Sequence, residues 1–195
     1  MGSNLMALAS PGLMVAHSGP VIALLALLAL AGVYKVADPV PTSGALRAAG
    51  LPSSIHLVRA LGVVEIAVGT TGILAGSALA SLAGAVLYAG FLIFVLEALR
   101  RRLPISSCGC LGAAETPPTV AHVMVNLTAV VTLALGSLFP IGELGGLLDL
   151  PVMEAVAFLL FVAATVYLLQ AVLTVLPLRQ AVRRSAQVAI QARAR

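Results

Sequence analysis

Two cysteines stand one residue apart in the run Ser107-Cys108-Gly109-Cys110-Leu111-Gly112, and the chain has no others. Two thiols flanking a single glycine can close a small disulfide ring, because Gly109 tolerates the unusual dihedrals that closure requires. Such a ring is strained and therefore easily reduced. Arg100, Arg101 and Arg102 lie just upstream and the start of a helix just downstream, and both favour thiolate over thiol. A second chemistry for the same residues is a metal site. Cys108, Cys110 and His122 would supply three ligands to zinc or iron, with Glu115, Glu65 or water as the fourth. The third reading is a pair of small residues in a tight loop, with no chemistry at all.

Glu65 is the only charged residue between Ala60 and Leu96. It belongs to the series Gly62, Glu65, Gly69 and Gly72, which falls on one narrow helical stripe. Six residues separate it from Arg59, placing it about 9 Å along the helix axis, inside the hydrocarbon. A carboxyl at that depth is costly and has to face protein, either as a proton acceptor in a redox or substrate site or as a helix–helix hydrogen bond. His122 and Asn126, four residues apart, project from one side of a helix that Pro117 and Pro118 open behind a Thr116 cap. These residues are expected to converge beneath the Cys-Gly-Cys loop. Cys108, Cys110, Glu65 and His122 are the catalytic candidates, with Asn126, Lys35 and Arg59 as a binding or structural polar cluster.

Such residues need rigid elements to hold them, and composition says what those are. The chain is 61% hydrophobic and 9% charged, with mean hydropathy +1.11, which no water-soluble fold could bury. Long apolar runs rich in Ala, Leu and Gly exclude a β-barrel. The expected fold is an all-α membrane protein, a bundle of about five transmembrane helices over 18–36, 57–75, 78–99, 119–139 and 152–176, each near the 20 residues that cross a bilayer. Spans two and three form a hairpin turning near Gly76 and Ser77. One transmembrane domain covers residues 1–178, followed by a basic tail, 179–195. Residues 1–16 lack the basic region of a cleaved signal peptide, so the first span is expected to remain as an anchor.

All 11 Lys and Arg residues fall on one side of this arrangement. Lys35, Arg47 and Arg59 belong to the connection between spans one and two, Arg100 to Arg102 follow span three, and five arginines follow span five. The positive-inside rule then puts the N-terminus outside and the C-terminus and both basic loops in the cytoplasm, as in a multi-pass protein of a bacterial inner membrane. The net charge of +4 serves topology and contact with the lipid bilayer, and implies no nucleic acid: the Arg-rich tail has no aromatic residue to stack on bases. The absence of a convincing internal repeat weighs against a small-solute carrier. A non-catalytic anchor or assembly subunit remains a third class of function.

The chain resembles the methylamine-utilisation membrane proteins of the MauE family, neighbours of the DoxX-like membrane proteins. The resemblance lies in Ala31-Gly32-Val33-Tyr34-Lys35 followed by Asp38-Pro39, in Ala45-Leu46-Arg47 leading to Gly50-Leu51-Pro52, and in Val64-Glu65. It lies also in Cys108-Gly109-Cys110-Leu111-Gly112, where Leu111 replaces an aromatic, and in Val125-Asn126, where an Arg-Asn pair is usual. The resemblance implies an accessory redox role in maturing a disulfide-rich dehydrogenase, alongside a thioredoxin-like or redox-enzyme partner. Charge, however, places Cys108 and Cys110 in the cytoplasm, whereas exported disulfides form outside. Electrons would then pass to a lipid-soluble quinone, or the pair would exchange with a cytoplasmic thiol, or the cysteines would hold zinc or iron. Thiol–disulfide exchange is the preferred reading.

Overall fold

The computed structural model describes residues 11–103, 105, 117–139 and 150–193, with side chains placed between 18 and 175 of that set. Cys108, Cys110, Glu115 and Thr116 lie outside the described residues. The helices in chain order are α1 (Pro11–Ala37), α2 (Val40–Ala48), α3 (Ile55–Ala75), α4 (Ala78–Arg100), α5 (Val120–Leu138) and α6 (Val152–Arg193). Five stretches of them are long and apolar enough to cross a membrane: Ser18–Ala37, Ile55–Ala75, Ala78–Arg100, Val120–Leu138 and Val152–Val175. These agree with the five expected spans to within two residues at each end. Among the described residues there is no strand.

The turn between α3 and α4 follows from its two residues. Gly76 closes α3 in the left-handed conformation (φ 58°), which costs glycine nothing, and Ser77 opens α4 by accepting from the Ala80 N–H. Helix α2 was not expected from the sequence. Pro39 and Pro41 fit its first turn, where a missing N–H costs little, and Gly50 (φ 75°) ends it in a Schellman turn in which Leu51 N donates to Leu46 O at 2.9 Å. The start of α5 also differs from expectation. Pro117, Pro118 and Thr119 are not helical, and the cap is Thr119 rather than Thr116. A residue before proline is pushed out of the helical region, so the Pro-Pro pair delays the helix until Val120.

Helix α1 is the hub. Of its membrane-length stretch 56% is buried, against 11% for that of α6, and it packs on α3, α6, α5 and α4. Val21, Leu25 and Leu28 of α1 meet Ala85 and Tyr88 of α4, Ala129 and Leu133 of α5 and Phe158 of α6 in one apolar core. The other sides of α4, α5 and α6 expose Val86, Ile93, Val131, Leu160 and Phe161, which is the surface that a hydrocarbon solvent accommodates.

A smaller cluster lies where α4 ends. Arg102 adopts φ 50° without being glycine, and the turn it makes sends Leu103 N back to Ala98 O at 3.0 Å. Leu103 and the buried Ile105 then pack against Ala98 of α4 and Ala45 of α2. The chain is thus pinned under α2 three residues before Cys108.

Candidate functional site

Helices α1 and α3 touch along their backbones because glycines face one another. A Cβ on Gly32 would lie 2.5 Å from Gly62 O, one on Gly62 2.7 Å from Gly32 O, and one on Gly69 2.5 Å from Leu25 O. With little hydrophobic drive between helices in lipid, such approach supplies much of the packing. All four residues of the Gly62-Glu65-Gly69-Gly72 stripe are buried, as the spacing predicts, and the helix they face is α1.

The crossing also makes room for two charges. Gly62 leaves space for the stem of Lys35, and Gly32 for the Cβ of Glu65. Lys35 Nζ reaches Glu65 Oε2 at 2.8 Å, with the two side chains 3% and 0% exposed. A lysine near a helix end ordinarily extends its ammonium toward water. This one turns into the bundle. Lys35, expected both among the cations joining the first two spans and in a structural polar cluster, sits in the last turn of α1 and is held in an internal ion pair.

Helix α4 closes the site. The Phe91 ring lies 5.1 Å from Lys35 Nζ, within the range of a cation–π contact, and Tyr88 meets Phe91 edge-on at 6.1 Å between centroids. Tyr88 in turn donates to Leu24 O of α1 at 2.9 Å. The second carboxylate oxygen, Glu65 Oε1, is buried without a hydrogen-bond partner among the described residues. Tyr34, beside Lys35 in sequence, accepts a long hydrogen bond from Gln170 Nε2 of α6 at 3.4 Å.

His122 is 1% exposed and reaches back to its own helix start, where Thr119 N donates to Nδ1 at 3.3 Å and Thr119 Oγ1 lies 3.0 Å from it. Nδ1 thus lies between a backbone N–H and a hydroxyl that can donate or accept. Asn126, one turn further on, is buried on the same side. Helices α3 and α5 both pack on α1 and α4, but Glu65 bonds to Lys35 and His122 to Thr119, and among the described residues no hydrogen bond joins Glu65 to His122 or Asn126. Arg59 is exposed on α3.

Sequence reasoning did not find Phe91, Tyr88 or the pairing of Lys35 with Glu65. A signal for the pair was present: Gly32-x-x-Lys35 and Gly62-x-x-Glu65 are the same three-residue step with opposite charges. Nothing comparable marks Phe91, one aromatic in a uniformly apolar helix.

The sequence matches the family model described as methylamine utilisation protein MauE over residues 13–139, more than half of the chain. The chain belongs to the MauE family. No curated protein and no solved structure matches it. The MauE region runs from α1 to the end of α5 and so contains Lys35, Glu65, Phe91, Cys108, Cys110, His122 and Asn126. Helix α6 lies beyond it. As a MauE protein with five membrane-length helices, the chain is a multi-pass membrane protein linked to methylamine utilisation.

Proposed function

We propose that this MauE protein is a redox accessory of a bacterial inner membrane, N-terminus outside and C-terminus cytoplasmic, in which Cys108 and Cys110 exchange a disulfide with a thioredoxin-like partner during maturation of a methylamine-dehydrogenase-type enzyme. In each exchange the two thiols lose two electrons and two protons to become a disulfide, and the partner's disulfide gains them to become two thiols. The observation that carries this reading is where the Cys-Gly-Cys run falls. It lies inside the MauE region, between Ile105 packed against α2 and α4 on one side and the Thr119–His122 cap of α5 on the other.

Within the proposal, Glu65 and His122 are the groups available to take and return the protons of exchange. Lys35 holds the Glu65 carboxylate in place, and Asn126 and Arg59 contribute polarity at the same end of the bundle.

The test is replacement of Cys108 by Ser, of Cys110 by Ser, and of both, with the partner dehydrogenase assayed for correctly formed disulfides. Thiol exchange predicts that each single variant loses as much as the double one. Full maturation with the double variant would instead favour a non-catalytic anchor.

A further inference from the structure

Beside the α1–α5–α6 contact lies a partly open groove of about 240 Å³. Leu24 of α1, Met124 of α5 and Leu169 of α6 form apolar walls, and Thr128, Thr132 and Thr165 add hydroxyl groups. A cavity of roughly 150 Å³ holds a benzene-sized ring, so this one has room for a ring with substituents.

The hydroxyls are not equivalent. A hydroxyl in hydrocarbon normally bonds to a carbonyl of its own helix, as Thr165 does to Phe161 O at 2.8 Å, Thr70 to Ile66 O at 2.7 Å and Thr174 to Gln170 O at 2.8 Å. Thr128 and Thr132 line the groove and bond to nothing among the described residues. They are four residues apart, so their donors sit about 6 Å from each other along one side of α5. Two free donors in an otherwise apolar groove fit a ligand with carbonyl acceptors on an apolar body.

Depth selects among such ligands. Counted from Val120 at 1.5 Å per residue, Thr128 lies about 12 Å and Thr132 about 18 Å into a span of about 28 Å. Phospholipid ester carbonyls stay near the headgroups, while the middle of the bilayer admits a carbonyl only on a molecule that is apolar throughout. We infer that the groove between α1, α5 and α6 binds the ring of an isoprenoid-type quinone, with Thr128 and Thr132 donating to its carbonyl oxygens. The site does not depend on the thiol reading, which rests on other residues.

The experiment uses the full chain in phosphatidylcholine nanodiscs, photolabelled with an azido-benzoquinone bearing a decyl tail and mapped by mass spectrometry. Labelling is expected on α5 and α6 around Met124 to Thr132 and Thr165 to Leu169. Decylubiquinone should compete, and decylbenzene, with the same tail and no carbonyls, should not. The shape-conserving pair Thr128→Val and Thr132→Val should weaken binding at least tenfold while helicity and the melting temperature hold. Equal competition by decylbenzene would mean that the groove takes any apolar chain and would overturn the proposal, whether or not the variant folds. Labelling elsewhere, or crosslinks joining two copies through α5, would overturn it as well.

Discussion

Lys35 and Glu65, thirty residues apart in sequence, form a 2.8 Å ion pair with neither side chain more than 3% exposed. Burying two charges sacrifices hydration that their attraction only partly restores, so a pair of this kind contributes little net stability yet is damaging to break. Glu65→Leu or Lys35→Met alone should destabilise the bundle by about 3–5 kcal/mol, because either leaves the other charge buried and unpaired. The joint change Lys35→Met with Glu65→Leu should recover most of that loss. Unfolding in detergent, followed by circular dichroism across the four-member cycle, reads this directly. Additive losses would show that the two residues act independently.

The α1–α3 crossing should reject a methyl group where backbone opposes backbone. Gly62→Ala and Gly69→Ala place a Cβ 2.7 Å and 2.5 Å from the carbonyl oxygens of Gly32 and Leu25, and each should cost about 1–3 kcal/mol. Gly90, in the middle of α4, has nothing within 4 Å of where its Cβ would be. Gly90→Ala should therefore stabilise by about 0.5–1 kcal/mol through helix propensity. Melting temperatures of the three variants test the contrast, and an equal response at all three positions would contradict the close crossing.

The two kinds of glycine look alike in sequence, and what separates Gly62 from Gly90 is the partner helix. The stripe through Gly62, Glu65, Gly69 and Gly72 was legible because a 3.6-residue period imposes it, and the spans were legible because a bilayer demands about 20 apolar residues. The inward turn of Lys35 was not. A lysine at a span end reads as a topology signal, and only the approach of α3 gives it a carboxylate to meet. Helix α2 was obscured by prolines that read as loop punctuation although they suit a first helical turn. The His122 cap was hidden for a related reason: the Pro-Pro pair suggested a helix start three residues early, so Thr119 was passed over.

Orientation rests on the remaining cations, and losing Lys35 from that count leaves the bias intact, with Arg47 in α2 and the exposed Arg59 near the start of α3 still at that end of the bundle. Cys108 and Cys110 should accordingly react with a membrane-impermeant maleimide only after the cells are opened. Labelling of intact cells would reverse the orientation and place the cysteines where exported disulfides form.

The central claim is that Cys108 and Cys110 cycle between dithiol and disulfide, and acid quenching followed by alkylation and mass spectrometry of the whole protein tests it most directly. The account predicts two populations in growing cells, one carrying two alkyl groups and one carrying none. The unalkylated form should be lost on mild reduction and unaffected by chelators. A protein that is doubly alkylated under every oxidant, or one that gains alkylation only when zinc or iron is chelated, would contradict it.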